Sequence, residues 1–257
     1  MNINNNQIIE TIINSLRSKL RKYKPETKHQ PFHVRLLGKD RMALFSFIHS
    51  LNTTFGMSIF EPVAKKIAMN YFKEVRSQVI AGDKISLENQ KNIQMIIDSL
   101  RSATIKPNWR DHYSILKSSL KTGEITDVKL TKVDLLLEDF DNNVYLFDLK
   151  TAKPNKGSFI EYKRTLLEWT AARLMNNKSK KVKAMLVIPY NPYYPKPYSR
   201  WTMAGMIDLN EELKVGKEFW DFLGEEGTYD LVLDCFEKAG IEMRDEIDEY
   251  FSKFIAL

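Results

Sequence analysis

The sequence has few of the residues that mark disulfide-rich, collagen-like or disordered chains. It contains one cysteine, 10 glycines and 9 prolines in 257 residues, and 43% of its residues are hydrophobic. No run of about 18 apolar residues occurs, so neither a membrane span nor a signal peptide is expected. Cys235 lies in an apolar run without a neighbouring histidine and is predicted to be a buried structural thiol. The expectation is a packed protein of the cytoplasm.

Several catalytic signatures are also missing. The four histidines have neither the paired helical spacing nor the accompanying cysteines of a zinc site. The sequence contains no Gly-rich phosphate loop, dinucleotide-binding fingerprint or nucleophile elbow. A zinc enzyme and the enzyme classes that depend on these motifs are therefore not expected.

Charge of each sign is concentrated in separate parts of the chain. The net charge is +6, yet residues 208–249 carry 15 acidic and 4 basic side chains, so the rest of the chain is strongly basic. Residues 178–200 hold six basic side chains and no acidic one, together with several aromatic rings. Such a surface favours a polyanionic partner, and nucleic acid is the leading candidate. A solvated basic face without a partner is the simpler alternative.

The chain is predicted to form a single domain over residues 1–257, because it has no internal repeat and no long linker. Residues 1–120 are expected to be mainly helical, residues 121–190 to form an α/β core, and residues 191–257 to form a recognition loop and C-terminal helices. Within the first region, apolar residues recur at helical spacing in four segments, 1–24, 41–56, 60–75 and 85–103. Pro62 suits a first helical turn, which puts Glu61 at a helix start.

The apolar period changes from about 3.6 to 2 after this region. Residues 127–140 and 142–152 are predicted to form a β-hairpin around a cluster of turn-forming residues. A helix over residues 158–177 and a buried strand over residues 182–190 are expected to follow. Further on the pattern is weaker: it is compatible with a short strand and then two helices, at residues 201–209, 218–223 and 242–254.

The hairpin carries a group of charged side chains in an otherwise apolar setting. Successive side chains of a strand alternate between faces, so Asp148 and Lys150 point the same way. Asp134 lies near the start of the preceding strand, and a tight turn would bring it close to both. Two carboxylates and one lysine are therefore expected to share a site, although an exposed ion pair on a hairpin is the structural alternative.

A divalent cation would explain why two carboxylates lie together, because neighbouring carboxylates otherwise repel each other. Mg²⁺ prefers oxygen ligands and is usually held by one or two carboxylates together with water and substrate phosphate oxygens. A bound cation lowers the pKa of water and stabilises charge on a phosphate under attack. Lys150 would orient or activate the attacking water and offset negative charge. These are the requirements of phosphodiester hydrolysis.

This arrangement resembles the core of the PD-(D/E)XK nuclease superfamily, whose motif matches Asp134, Asp148 and Lys150. Val133 stands where the superfamily's name has proline, a replacement that is common among these enzymes. More particularly, the sequence resembles the TdeIII-type family of type II restriction endonucleases nearly end to end. The segments that carry this resemblance are residues 24–68, 148–169 and 188–202.

The resemblance implies an α/β (α+β) fold, in which a mixed sheet is flanked by helices and decorated by helical N-terminal and C-terminal regions. It implies Mg²⁺-dependent cleavage of double-stranded DNA within a short palindromic site, GGNCC, by a homodimer. Asp134, Asp148 and Lys150 would be catalytic, and the two aspartates would hold the metal. Such nucleases often take a further carboxylate from a preceding helix, and Glu61 is the candidate, although a glutamate at a helix start is also stabilised by the helix dipole.

Two segments supply candidate DNA contacts. Basic residues that follow the motif are candidates for phosphate binding, namely Lys153, Lys156, Lys163 and Arg164. The proline-stiffened loop 190–201 could present side chains to base edges, and its candidates are Asn191, Lys196 and Arg200. The alternatives are ordinary solvent exposure for the first group and tyrosine packing for the loop.

Two other functions are compatible with the same residues. A structure-specific DNA repair or resolvase nuclease would keep the catalytic core and act on branched or damaged DNA. A non-catalytic DNA-binding protein would have the fold without turnover, and its binding would not need Mg²⁺. Cleavage of an intact plasmid into discrete bands would separate a restriction enzyme from both.

Overall fold

A computed structural model of the protein describes residues 4–24, 30–120, 123–150, 152–154, 156–176, 181–199 and 201–255. Within these ranges, only the backbone is described for residues 51–57, 156, 201–202 and 254–255. Among the described residues, no helix has the length and apolar character needed to cross a membrane.

The N-terminal region begins with helices, most of them at positions that the apolar spacing predicts; the short helix over residues 31–37 is one that the spacing does not predict. The helices are α1 (Asn5–Lys22), α2 (Pro31–Leu37), α3 (Lys39–Phe55) and α4 (Glu61–Ala68), with a π-helical turn (Gly56–Phe60) between the last two. The helix predicted over residues 60–75 ends seven residues early, at Ala68, and strand β1 (Glu74–Val79) follows. Pairing of β1 with a distant strand outweighs the local helical pattern here, because propensity is a weak guide where tertiary contacts compete.

The centre of the molecule is a five-stranded mixed sheet. Its strands are β1, β4 (Val133–Glu138), β5 (Val144–Leu149), β6 (Val182–Ile188) and β7 (Leu213–Val215), in that spatial order. The pairs β1–β4 and β4–β5 are antiparallel, whereas β5–β6 and β6–β7 are parallel. Strands β2 (Lys84–Ser86) and β3 (Ile125–Asp127) form a separate two-stranded sheet. The α/β fold with a mixed sheet is therefore confirmed.

The predicted hairpin is formed by β4 and β5, with Leu135 opposite Phe147 and Glu138 opposite Val144. The Asp139 side chain closes the turn, because its Oδ1 accepts hydrogen bonds from the backbone N–H groups of Asp141 and Asn143. Asn142 has a φ of +63°, a left-handed conformation that asparagine tolerates better than most residues. This turn sets the register that places the chemistry at the other end of the hairpin.

Helices cover both faces of the sheet, so successive strand residues enter different cores. One core lies beneath α5 (Leu87–Arg101), α6 (Trp109–Ser118) and α7 (Phe159–Met175), and it receives Leu136 and Leu146. The other lies beneath α1, α4, α9 (Lys217–Leu223) and α10 (Thr228–Glu242), and it receives Leu135 and Phe147. Such burial on both sides explains why the central strands are almost continuously apolar.

The C-terminal region departs from the sequence prediction, which includes neither β7 nor α10 and expects a short strand over residues 201–209. Residues 201–209 form no strand: they begin with the short helix α8 (Trp201–Ala204) and continue as a turn. Met203, Met206 and Ile207 are buried, and both later residues donate backbone hydrogen bonds to the Met203 carbonyl. Their spacing of three and four is helical, which is why the strand prediction is wrong here. The predicted C-terminal helices are present as α9 and α11 (Arg244–Ile255), and Cys235 is buried in α10 as expected.

A buried polar cluster joins α6, α7 and the turn before β7. The Lys163 ammonium is fully buried and contacts Glu212 Oε1 and Oε2 at 2.5 and 2.6 Å. Glu212 also accepts the backbone N–H of Asp208 at 2.9 Å, and His112 is buried nearby on α6. The prediction that Lys163 contacts DNA is therefore wrong, because this residue lies on the core face of α7 and its charge is neutralised inside the protein.

Burial of His112 makes the stability of the fold depend on pH. Burial, reinforced by the nearby Lys163 charge, lowers the pKa of His112 to about 3 from 6.5. Between these values the unfolded chain binds a proton that the folded chain excludes, so stability is full above pH 6.5 and falls as the pH falls toward 3. The free energy of unfolding should lose about 2 kcal/mol between pH 7 and pH 5 from this residue.

Urea unfolding at pH 7 and pH 5 measures this loss, and comparison with His112→Gln separates it from other titrating groups. Between pH 7 and pH 5, the variant should lose about 2 kcal/mol less stability than the wild type does. An equal loss in both proteins would show that His112 does not titrate as its burial requires.

Candidate active site

Asp134, Asp148 and Lys150 meet at the end of the hairpin that is opposite its turn. Asp134 Oδ2 accepts the backbone N–H of Leu149 at 2.8 Å, which fixes this carboxylate against the last residue of β5. Asp148 Oδ1 lies 2.6 Å from Lys150 Nζ. The three predicted side chains are therefore brought together by strand pairing and by the alternation of side chains along β5.

The Asp148 carboxylate is held in a setting that disfavours its charge. Burial raises its pKa to about 6, against the opposing effect of the Lys150 ammonium, and the neighbouring Asp134 carboxylate raises it further. A buried carboxylate with a cationic partner and a second carboxylate beside it is typical of functional sites, because a structural role gains little from that combination.

The Lys150 side chain is fixed from two sides. Its Nζ contacts Asp148 and lies 4.5 Å from the centre of the Tyr162 ring on α7, while its backbone N–H donates to the Val187 carbonyl at 2.8 Å. An ammonium over an aromatic ring is attracted by the ring's negative face. Nothing in the helical spacing of Tyr162 indicates a contact with the lysine.

Glu61 joins the group through a residue that sequence reasoning missed. Gln78, on β1, donates from Nε2 to Glu61 Oε2 at 2.8 Å and to Asp134 Oδ1 at 3.1 Å. Glu61 is buried, and burial raises its pKa, whereas the hydrogen bond from Gln78 lowers it. Helical backbone over residues 56–60 leads directly into α4, so Glu61 does not stand at a free helix N-terminus. The alternative that Glu61 is there because the helix dipole stabilises it therefore loses its basis.

The donor set fits a hard divalent cation. Asp134 and Asp148 offer carboxylate oxygens beside each other, and Mg²⁺ commonly takes one or two carboxylates and completes its shell with water and phosphate oxygens. In the part of the chain that is described, no three histidine, cysteine or acidic side chains gather into a metal cage. Two adjacent carboxylates would leave most of the cation's shell to water and phosphate oxygens, which suits a cation held between protein and substrate.

The candidate phosphate contacts after the motif have different environments. Lys153 is exposed, and its Nζ lies 5.5 Å from the centre of the Tyr193 ring. Arg164 is partly exposed on α7 and donates from Nη2 to Gln94 Oε1 at 2.8 Å. Lys163 is in the core, as described above, and the Lys156 side chain lies outside the described residues.

The loop after β6 is ordered partly by its own side chains. Asn191 Oδ1 accepts the backbone N–H of Tyr193 at 2.9 Å, and its Nδ2 donates to the Lys196 carbonyl at 2.7 Å. Asn191 thus shapes the loop, whereas the Lys196 side chain is exposed. Arg200 lies outside the described residues.

Comparison with known proteins places this geometry in a family context. Residues 1–240 match the family described as "Type II restriction endonuclease, HinfI". The type II restriction enzyme HgiCII of Herpetosiphon aurantiacus is 28% identical over 226 residues, which cover 85% of this chain and 80% of the relative. The type II restriction enzyme MjaII of Methanocaldococcus jannaschii is 28% identical over 251 residues, which cover 86% of this chain and 65% of the relative.

Proposed function

The chain belongs to the HinfI family of type II restriction endonucleases, and we propose that it cuts both strands of DNA by Mg²⁺-dependent hydrolysis at a short palindromic site. The family and the similar restriction enzymes give the general function, that of a site-specific deoxyribonuclease. This part of the sequence prediction is therefore confirmed. The finer TdeIII-type identification stays a prediction. The observation that carries the proposed chemistry is the meeting of Asp134, Asp148 and Lys150.

Asp134 and Asp148 are the residues that would hold the cation. The Leu149 N–H directs one oxygen of Asp134, and the Lys150 ammonium directs one oxygen of Asp148, so each carboxylate keeps a fixed orientation and retains lone pairs for a ligand. When bound, Mg²⁺ would make water more acidic and neutralise charge that develops on the scissile phosphate. Glu61, linked through Gln78, would add a third negative charge to the same site.

Lys150 would act on the attacking water and on the phosphate. Its ammonium is partly exposed and is held by Asp148 and by the Tyr162 ring, so it can reach an oxygen atom at the mouth of the site. Attack of water on phosphorus with departure of the 3′ oxygen would leave 5′-phosphate and 3′-hydroxyl ends. DNA binding would be supported by the basic candidates that remain, among them Lys153, Arg164 and Lys196.

We propose GGNCC as the recognition site and a homodimer as the active form. The site is supported by the sequence resemblance. The dimer is supported by the need to cut two strands with one centre per chain, since a two-fold axis would match a palindromic target. Double-stranded DNA as the substrate supports the cytoplasm as the compartment.

Digestion of unmethylated phage DNA followed by sequencing of the ends tests the site and the chemistry together. We expect discrete fragments with Mg²⁺, none with chelator, and ends that lie within GGNCC and can be ligated without prior phosphorylation. Discrete fragments with another end sequence would overturn the proposed site and leave the endonuclease activity intact.

Cleavage only at branched or nicked duplexes would instead support a structure-specific nuclease.

Sedimentation of the protein bound to a duplex that contains the site should give two chains per duplex, and one chain per duplex would overturn the dimer.

A further inference from the structure

Gln78 links two carboxylates that come from distant parts of the chain. Its side-chain Nε2 lies 2.8 Å from Glu61 Oε2 and 3.1 Å from Asp134 Oδ1. A carboxamide nitrogen has two N–H donors, so one side chain can satisfy both contacts at once. Gln78 thereby joins α4, β1 and β4 at the carboxylate cluster, which consists of Glu61, Asp134 and Asp148.

The backbone of Gln78 is in a conformation that glutamine rarely adopts. Its φ is +54°, although the neighbouring residues Ser77 and Val79 pair with Leu135 and Val133 of β4 in a regular antiparallel register. A left-handed conformation is strained for a non-glycine residue and persists where the surroundings enforce it. Such outliers are concentrated at functional sites, and this one occurs at the residue that bonds both carboxylates.

The chemistry of the donor matters as much as its position. A lysine or arginine between Glu61 and Asp134 would neutralise them and weaken their attraction for a cation. The carboxamide of Gln78 is neutral, so it offsets the repulsion between the carboxylates by hydrogen bonding and leaves their negative charge available.

We infer that Gln78 is a positioning residue that orients Asp134 and couples Glu61 to the metal-holding pair; this inference rests on the proposed Mg²⁺-dependent function. Groups that orient metal ligands typically contribute 10- to 100-fold in metal affinity or activity. Loss of the carboxamide should therefore weaken cation binding and slow cleavage without weakening the binding of DNA.

The substitution Gln78→Gly separates this role from a structural one. Glycine adopts a positive φ without strain, and this relief opposes the loss of the two hydrogen bonds, so the variant should stay folded while it lacks the carboxamide. We expect its single-turnover cleavage rate at fixed Mg²⁺ to fall roughly 10- to 100-fold, and the Mg²⁺ concentration for half-maximal rate to rise about 10-fold. Binding of Mn²⁺ alone, measured by electron paramagnetic resonance of the free ion without DNA, should weaken in parallel.

Asn142→Gly is the matched control. Asn142 also has a positive φ and a carboxamide, but its Oδ1 accepts from Lys73 at 2.6 Å, at the turn end of the hairpin. This variant should keep the wild-type rate, Mg²⁺ requirement and Mn²⁺ affinity. Thermal unfolding of both variants reports whether either glycine destabilises the fold.

The possible results separate the two proposals. A stable Gln78→Gly protein with the wild-type Mg²⁺ requirement and Mn²⁺ affinity would overturn the positioning role while the proposed function stands. Absence of Mg²⁺-dependent cleavage by the wild type would overturn the proposed function itself. A Gln78→Gly variant that loses activity only in proportion to lost stability would show that the residue is structural.

Discussion

The substitution Asp148→Asn should lower the single-turnover rate of DNA cleavage by roughly 10³-fold or more. Asparagine keeps the shape of the side chain but removes the negative charge, so the cation loses one of its two adjacent carboxylates and Lys150 loses its ionic partner at 2.6 Å. Duplex binding without cation should be preserved or slightly strengthened, because one negative charge is removed from the site proposed to face DNA.

The appropriate control is Asp141→Asn, which removes an exposed carboxylate from the turn of the same hairpin. It should cleave at the wild-type rate, since Asp141 lies at the end opposite the carboxylate cluster. Rate measurements on a duplex that contains the mapped site, with enzyme in excess, separate chemistry from product release. Retention of more than about a tenth of the wild-type rate by Asp148→Asn would contradict a role for this carboxylate in catalysis.

The substitution Lys163→Met should lower the free energy of unfolding by about 3–5 kcal/mol. The lysine is fully buried against Glu212, and removal of its charge leaves a buried carboxylate without its partner. This is a large part of the stability of a typical domain, so the variant is expected to unfold at clearly lower urea concentration.

The double substitution Lys163→Met with Glu212→Gln should recover most of this loss. It removes both charges, and the carboxamide oxygen that replaces the carboxylate can still accept the Asp208 N–H that Glu212 now binds. Lys217→Met is the matched control, since the Lys217 side chain is exposed where it pairs with Asp221 at 3.5 Å, and the substitution should cost no more than about 1 kcal/mol. A loss in Lys163→Met as small as that of the control would contradict the structural role of the buried pair.

Much of the sheet and the centre of the site could be predicted because their determinants are local. The hairpin follows from period-two apolar stretches around a turn, and alternation along one strand suffices to place Asp148 and Lys150 together. Long helices such as α1 and α7 show their apolar spacing directly.

The remaining features depend on partners far away in sequence. Strand β1 is polar enough to resemble the end of a helix, and only its pairing with β4 makes it a strand. The role of Gln78 follows from that pairing, so no local pattern could reveal it. Lys163 resembles a surface lysine until its partner Glu212, 49 residues away, is known.

The central claim is that Asp134, Asp148 and Lys150 form a Mg²⁺-dependent nuclease centre. Its most direct test is incubation of unmethylated phage DNA with the wild type, Asp148→Ala and Lys150→Ala, each with Mg²⁺ and with chelator. Discrete fragments formed by the wild type with Mg²⁺, and absent from both variants and from every chelator sample, are the predicted result. Intact DNA in all samples despite tight binding by the wild type, or the same fragments from either variant, would contradict the claim.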